Sequence, residues 1–162
     1  MPLSALDYVE IEQLISRSAQ ALDLGDEVAY GACYTEDGSF EVLGIPPEAP
    51  HAGRHVGRKG VAGAAKMIFS GCLGHVRHWN NNQVIVGEGN TATMVSYLQV
   101  IRVGMTPNSG VILTGIYWDK LEKIDGKWLL KERLIRTDPQ PEHNTAPTDV
   151  LVIRRDEFVQ RV

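Results

Sequence analysis

Near the N-terminus, apolar residues recur at the spacing of one helix face. Over residues 4–24 they are separated by three, four or seven positions, which indicates a helix that buries one side. Ser4 followed three residues later by Asp7 has the pattern of a capping box, and Gly25 is a typical helix stop. The residues that recur at helical spacing are Val9, Ile11, Leu14, Ile15, Ser18 and Leu22.

The pattern changes several times in the next part of the chain. Asp26 is a suitable cap for a second helix that extends through Tyr34, and "TEDG" then predicts a turn before a strand, "SFEVL". The three prolines of "GIPPEAPHAG" exclude a central strand and predict a loop, with a possible edge strand in "RHVGR". A third helix is predicted over residues 59–70, where small and apolar residues share one side.

After Gly74 apolar residues alternate with polar ones, as in half-buried strands. Strands are predicted over residues 75–86, 92–103, 111–124 and 127–136, joined by short turns such as "GEGN" and "DG". Helices followed by an antiparallel meander predict the α+β class. The expected architecture is a cone-shaped α+β barrel, in which a curved, mostly antiparallel sheet wraps around three N-terminal helices and encloses a pocket.

The composition fits one globular domain. The chain has 162 residues, of which 43% are hydrophobic and 22% charged, enough for a single buried core. A net charge of -4 and a pI of about 5.7 argue against nucleic acid or an anionic membrane as a partner. No apolar stretch is long enough to span a bilayer and the N-terminus lacks a signal pattern, so a cytoplasmic location is expected.

The chain divides into a main domain and a tail. Residues 1–137 hold the predicted helices and the main sheet, whereas residues 138–162 begin with prolines and end in a partly apolar segment, "VLVIRRDEFVQRV". We expect the tail to pack on the domain or on a neighbouring subunit. Because a long exposed sheet and an apolar tail both need covering, a homodimer or homotrimer is expected. Cys33 and Cys72 lack metal-ligand spacing and are expected to be free thiols.

Asp23 stands at the end of the first predicted helix, beside its apolar face. A carboxylate there is costly unless something pairs with it, and a histidine from the sheet would be a suitable partner. The alternative is an aspartate that only fixes the junction between the first two helices.

The stretch "HVRHWNNN" is unusual for the start of a strand, because asparagine side chains compete for the backbone. Alternation predicts that His78, Asn80 and Asn82 share one face. If that face lines the pocket, His78 is a candidate general base with amides beside it. If the face is turned to water, the same residues form an ordinary solvated strand surface.

The last predicted strand carries two arginines on opposite faces. At most one of Arg133 and Arg136 points inward unless a bulge intervenes, and an inward arginine would stabilise an anionic group. The sequence has no phosphate loop, nucleophile elbow or metal-ligand cluster, so acid–base chemistry without a cofactor or metal is expected. Five aromatic residues favour a core role, with a minority lining a pocket: Tyr34, Phe40, Tyr97, Tyr117 and Trp118.

Four segments together carry a resemblance to a known family. They are "ALDLGD", "YTEDGSFEV", "HWNNNQVIVGEGNTATMVSYL" and "GIYWDKLEKIDGKWLLKERLIR", in the same element order. The chain resembles the nuclear transport factor 2-like superfamily and, within it, the SnoaL-like group, over roughly residues 5–137. Because this fold carries dehydratases, isomerases, cyclases and plain binding modules, the resemblance implies a fold more narrowly than a function.

Within that superfamily the chain is most similar to the branch of hexachlorocyclohexane dehydrochlorinase and of scytalone and bile-acid dehydratases. The resemblance implies that Asp23 orients His78 and that His78 removes a proton from the substrate. It further implies a pocket position for Arg133, Asn82 and Tyr117.

Two positions depart from the dehydratases. Ser18 stands where the bile-acid dehydratase has a catalytic tyrosine, and apolar sequence near Val100 stands where that enzyme has a second acidic residue. The resemblance therefore implies a minimal pair of Asp23 and His78 with Arg133, rather than a complete dehydratase site.

The leading hypothesis is a cofactor-independent lyase or isomerase that acts on a mostly apolar, cyclic small molecule. His78 would be the general base, Asp23 would hold its tautomer, and Arg133 would stabilise the departing or developing anion. The alternatives are a non-catalytic ligand-binding or assembly protein, such as a small subunit of a ring-hydroxylating dioxygenase, and a polyketide cyclase. The side chains predicted to bind the substrate are Tyr34, Phe40, Asn82, Tyr97 and Tyr117.

Overall fold

Helices and strands follow the predicted order in a computed structural model, which describes residues 1–104 and 109–139. Within these residues three helices accompany a six-stranded sheet, and the α+β prediction is confirmed. The elements are α1 (Ala5–Leu24), α2 (Glu27–Ala32), β1 (Tyr34–Leu43), β2 (Gly53–Val56), α3 (Gly57–Cys72), β3 (Val76–Glu88), β4 (Thr91–Arg102), β5 (Gly110–Ile124) and β6 (Lys127–Thr137).

The strands form one curved sheet in the order β2-β1-β6-β5-β4-β3. Strands β3 to β6 make the predicted antiparallel meander, and β1 joins β6 in parallel. The short strand β2 lies at one edge, and β3 lies at the other. The inner face of the sheet packs on the helices and forms the core, so residues on that face are the ones that can line an enclosed pocket.

Local signals at both ends fix helix α1. The Ser4 hydroxyl accepts the Asp7 backbone N–H at 3.3 Å, and the Asp7 carboxylate accepts the Ser4 N–H at 2.8 Å, which is the predicted capping box. Gly25 ends the helix with φ 76°, a left-handed conformation that favours glycine. The Asp7 carboxylate also accepts bonds from Lys123 and from the Trp128 indole, so the cap ties α1 to the β5–β6 hairpin.

The region after α1 differs from the prediction. Helix α2 ends at Ala32, so Tyr34 begins β1 instead of closing the helix, and "TEDG" lies inside that strand instead of forming a turn. The cause is the parallel pairing with β6, in which Tyr34 lies opposite Leu130. The register shifts between Tyr34 and Ser39, and this irregularity accommodates the polar residues. Helix α3 extends two residues beyond the predicted span at each end.

The predicted edge strand is present as β2, and both cysteines are free thiols. Of the predicted tail, residues 140–162 lie outside the described part of the chain, and its expected packing stays a prediction. Among the described helices, none is long and apolar enough to cross a membrane.

Candidate functional site

The side chains of Asp23 and His78 meet where the end of α1 lies against the edge strand β3. His78 Nδ1 is 2.6 Å from Asp23 Oδ1, and the backbone N–H of His78 donates to Asp23 Oδ2 at 2.9 Å. Their side chains are 10% and 7% exposed, so the contact is shielded from water. The structure thus brings together the two residues that the sequence suggested as a pair.

The bond to Asp23 settles which ring nitrogen of His78 carries hydrogen. A carboxylate only accepts hydrogen bonds, so Nδ1 is the donor, and in the neutral ring Nε2 is then the nitrogen with the lone pair. Within the described part of the chain, Nε2 of His78 has no hydrogen-bond partner. A histidine held in this tautomer can act as a general base through Nε2.

His78 lines a pocket of about 780 Å³ on the inner side of the sheet. Two predicted residues, Phe40 and Tyr117, line it too, and so do Leu98 and Val100. The lining is mainly aliphatic or aromatic, which suits an apolar ligand and strengthens electrostatic interactions at the few polar groups. The other described lining residues are Leu22, Val42, Ile45, Pro46, Ala49, Pro50, His51, Met67, Ile68, Gly71, Cys72, Arg102, Ile112, Leu113, Ile135 and Thr137.

Arg133 lies below this pocket and not at its surface. Its Nε and one terminal nitrogen donate to the two carboxylate oxygens of Asp119, both at 2.8 Å, and both residues are almost completely buried. Its guanidinium carbon is 4.3 Å from the centre of the Tyr117 ring. Burial by itself would lower the pKa of Arg133, but the Asp119 carboxylate raises it, so the guanidinium stays charged. Because its guanidinium is bonded to Asp119 and Arg133 is not among the described lining residues, the structure does not bring Arg133 to the pocket, and its role at a substrate anion stays a prediction.

Strand β3 contains a bulge that changes which residues face inward. Asn81 pairs with Tyr97 and Val84 pairs with Val95, so Asn82 and Gln83 together lie opposite the single residue between those partners. Asn82 has φ 54° and is exposed. Because regular alternation does not continue through the bulge, Asn82 is not among the described residues that line the pocket, and its contact with the substrate stays a prediction.

Two of the predicted aromatic residues also lie elsewhere. Tyr97 is 51% exposed on the outer face of the sheet, because its neighbours in β4 take the inward positions. Tyr34 is fully buried, and its hydroxyl is 3.0 Å from that of Tyr30. Burial raises the pKa of both hydroxyls, so they remain protonated. Neither Tyr34 nor Tyr97 is among the described residues that line the pocket, so the structure does not bring these two predicted substrate-binding residues to the candidate site.

Three further residues of this region were not named as candidates from the sequence. Asp119 could have been found, since alternation places it on the inward face with Tyr117. Arg102 ends β4 and lines the pocket, although a terminal strand arginine gives no signal of this. His51, in the proline-rich loop, also lines the pocket, and burial lowers its pKa, which favours the neutral ring.

Other cavities are present in the described part of the chain. One of about 370 Å³ is behind the pair, lined by Asp23, His78, Arg77 and Asn80, and the Asn80 side-chain oxygen is buried without a partner in the described residues. An open groove of about 810 Å³ lies between α1 and the start of β6. Neither Asp23 nor His78 lines the groove, so the candidate site is the pocket of about 780 Å³ that His78 lines together with Phe40 and Tyr117. Over residues 1–104 and 109–139, no group of three His, Cys, Asp or Glu side chains could hold a metal ion.

Comparison with known proteins identifies a family to which the sequence of this chain is similar. A family model described as a SnoaL-like domain matches residues 4–134. A protein of unknown function with a cystatin-like fold from Nostoc punctiforme is 29% identical, with a TM-score of 0.75 over 86% of this chain and 97% of that one. No curated protein matches the chain.

Two proteins from Novosphingobium aromaticivorans are also similar in structure. One, described as a candidate scytalone dehydratase, is 26% identical, with a TM-score of 0.65 over 82% of this chain and 84% of that one. The other, a nuclear transport factor 2-like protein with a cystatin-like fold, is 19% identical, with a TM-score of 0.71 over 94% of this chain and 87% of that one. These structures share the fold expected from the sequence.

Proposed function

This chain belongs to the SnoaL-like domain family, and we propose that it is a cofactor-independent lyase or isomerase whose general base is His78. The observation that carries the proposal is the 2.6 Å contact between His78 Nδ1 and Asp23 Oδ1 at the wall of an apolar pocket. The similarity to a candidate scytalone dehydratase supports the lyase side of the proposal. The substrate would be a mostly apolar, cyclic small molecule with an acidic C–H bond.

The reaction begins with transfer of a carbon-bound proton to Nε2 of His78. The ring becomes an imidazolium ion, and the Asp23 carboxylate stabilises its charge through the existing Nδ1–H bond. In a lyase the electron pair left on carbon forms a double bond and expels a leaving group from the adjacent atom. In an isomerase His78 returns the proton to another carbon. A positioned base of this kind contributes about a hundred- to ten-thousandfold to the rate.

The pocket contributes by excluding water. Apolar side chains surround His78 on the ligand side, so the charge that forms on the ring interacts strongly with Asp23. The role of Arg133 differs from the expected one, because its charge is already paired with that of Asp119. We assign Arg133 to positioning Tyr117, whose ring lies over the guanidinium and lines the pocket.

Hydrogen–deuterium exchange tests the proposal before the natural substrate is known. Proton abstraction should exchange the acidic C–H of cyclic ketones in heavy water, even where no leaving group is present, and mass spectrometry measures it. We expect exchange with the wild type and a loss of about a hundredfold or more in His78→Gln. His75→Gln is the matched control, since His75 is exposed and lies outside the described pocket lining.

Two results would contradict the proposal. Exchange that persists in His78→Gln would exclude His78 as the base. Tight binding of apolar rings without exchange in any of them would favour the competing function, a non-catalytic ligand-binding or assembly protein.

A further inference from the structure

Arg102 is a charged residue at the wall of a mostly apolar pocket. It ends β4, is exposed, and pairs with Val76 of β3 and Gly110 of β5. In the described residues, its guanidinium has neither a hydrogen bond nor a carboxylate partner. Four of the other described arginines do have such partners, namely Arg54, Arg58, Arg77 and Arg133.

The described lining of the pocket offers no carboxylate that could neutralise Arg102. No aspartate or glutamate is among its described lining residues, whose other polar members are His51, His78, Thr137, Cys72 and Tyr117. The chain as a whole carries a net charge of -4, so a cationic pocket wall is not a consequence of composition. Low-dielectric walls focus the field of such a charge into the cavity, where it attracts an anion.

The register of the sheet places Arg102 close to the proposed base. His78 lies opposite Val100, and Arg102 is two residues further along β4, so it shares the inward face with Val100. Residues in this diagonal relation have Cα atoms about 7–8 Å apart. A single ligand of one or two rings is long enough to reach both side chains.

We propose that the ligand of this pocket is a mostly apolar ring compound that carries one anionic group, such as a carboxylate, and that Arg102 binds this group. The inference rests on the proposed function in taking the pocket beside His78 as the ligand site. The apolar rings lie against Phe40, Leu98 and Leu113, and the anionic group lies at the Arg102 end. Arg102 thereby selects acidic ligands over neutral ones of the same shape and sets which carbon faces His78.

A matched pair of fluorescent probes tests this selection. 1-Anilinonaphthalene-8-sulfonate and N-phenyl-1-naphthylamine share a ring system, and only the first carries a negative charge. Fluorescence titration of the full chain gives the affinity for each probe. We expect Arg102→Gln to weaken binding of the anionic probe by roughly three- to tenfold and to leave the neutral probe within about twofold.

Three variants make the result interpretable. Arg102→Lys keeps a positive charge and should retain most of the preference, which separates charge from packing. Arg136→Gln removes the same charge from a residue outside the described pocket lining and should change neither affinity. Ala49→Trp narrows the pocket and should weaken both probes, which shows where they bind.

The outcomes separate this inference from the proposed function. If Arg102→Gln changes both affinities equally, or neither, the selection of an anionic group by Arg102 is wrong while the site beside His78 stands. If neither probe binds the wild type, or if Ala49→Trp weakens neither, the pocket is not a ligand site and the proposed function falls with the inference.

Discussion

His78 Nδ1 lies 2.6 Å from Asp23 Oδ1, although the two residues are 55 positions apart in the chain. The second carboxylate oxygen accepts the backbone N–H of His78, which an edge strand would otherwise leave free. One side chain at the end of α1 therefore fixes both the position of β3 and the direction of the imidazole. This double contact connects the packing of helix on sheet with the chemistry proposed for the pocket.

Asp23→Asn should reduce proton abstraction far more than it reduces ligand binding. The amide of asparagine would donate to Nδ1 of His78, which moves the ring hydrogen to Nε2 and removes the free lone pair. We expect the exchange rate to fall by about a hundred- to ten-thousandfold, with probe affinity within about threefold of the wild type. Nitrogen-15 shifts of the His78 ring would report the change of tautomer directly.

The control for this experiment is Asp26→Asn, which alters the cap of α2 and leaves His78 untouched. A wild-type exchange rate in Asp23→Asn would show that the contact between Asp23 and His78 has no part in proton abstraction. Asp23 would then be better explained by the alternative from the sequence, an aspartate that only fixes the junction between the first two helices.

The sequence predicts those parts of the fold that depend on near neighbours. The capping box of Ser4 and Asp7 and the left-handed Gly25 are signalled within a few residues, and α1 has the predicted bounds. The meander is predicted by alternation, which is visible within each strand by itself. Asp23 could be recognised as a costly carboxylate that needs a partner, whereas His78 was identified as that partner by the family resemblance.

Other features depend on contacts between distant segments. Tyr34 starts a strand only because Leu130 is available for parallel pairing, nearly a hundred residues later. The bulge at Asn82 reverses the alternation of β3, and nothing in three consecutive asparagines indicates which one is extra. Arg133 and Asp119 meet through the register of β5 on β6, so the arginine could not be recognised as paired from its own strand.

Removing one partner of the buried Arg133–Asp119 pair should lower the free energy of unfolding far more than removing both. Arg133→Met leaves the Asp119 carboxylate buried without a partner, and we expect the free energy of unfolding to fall by about 3–5 kcal/mol. The double variant Arg133→Met with Asp119→Leu removes both charges and should recover most of that loss. Urea unfolding of the two single variants and the double variant gives the coupling energy.

The same double variant tests the assignment of Arg133 as a positioning residue. If the guanidinium only supports Tyr117, the folded double variant should keep exchange within about tenfold of the wild type. A loss as large as that of His78→Gln would restore the role at the substrate anion that the sequence suggested.

Asp7 should make the protein more stable above about pH 4 than below it. The Lys123 ammonium, together with the weaker effect of the bonds from Ser4, holds the pKa of Asp7 below its ordinary value of 3.8. The folded state therefore keeps Asp7 ionised where the unfolded chain binds a proton, so this stabilisation is complete above about pH 4 and is lost as the pH falls further. Asp7→Asn should lower the melting temperature at about pH 6, and the difference should shrink at about pH 3.

Asp125→Asn is the matched control, since Asp125 is exposed in the β5–β6 turn, where asparagine tolerates the left-handed backbone. Its melting temperature should follow the wild type at both pH values. If the melting temperature of Asp7→Asn differs from that of the wild type by the same amount at both pH values, the charge of Asp7 does not contribute to stability.

The outer face of the sheet should be the contact between subunits of a homo-oligomer. Trp79 is 55% exposed and Tyr97 is 51% exposed, and both lie on the outward face of the adjacent strands β3 and β4. Beyond the bulge Val84 and Val86 continue the same face, at 45% and 50% exposure. An apolar surface that spans two strands at a sheet edge is costly in water, and a second copy of the chain would cover it with a matching surface.

A charge on that face should dissociate the oligomer, because it would be buried unpaired between two copies. We expect a dimer or trimer for the wild type in sedimentation velocity, and a monomer that keeps its circular dichroism spectrum for Tyr97→Glu. Val28→Glu adds the same charge at a residue that is 75% exposed on α2, and it should leave the oligomer intact. A wild type that sediments as a monomer, or an oligomer that survives in Tyr97→Glu, would show that the copies do not meet through this face.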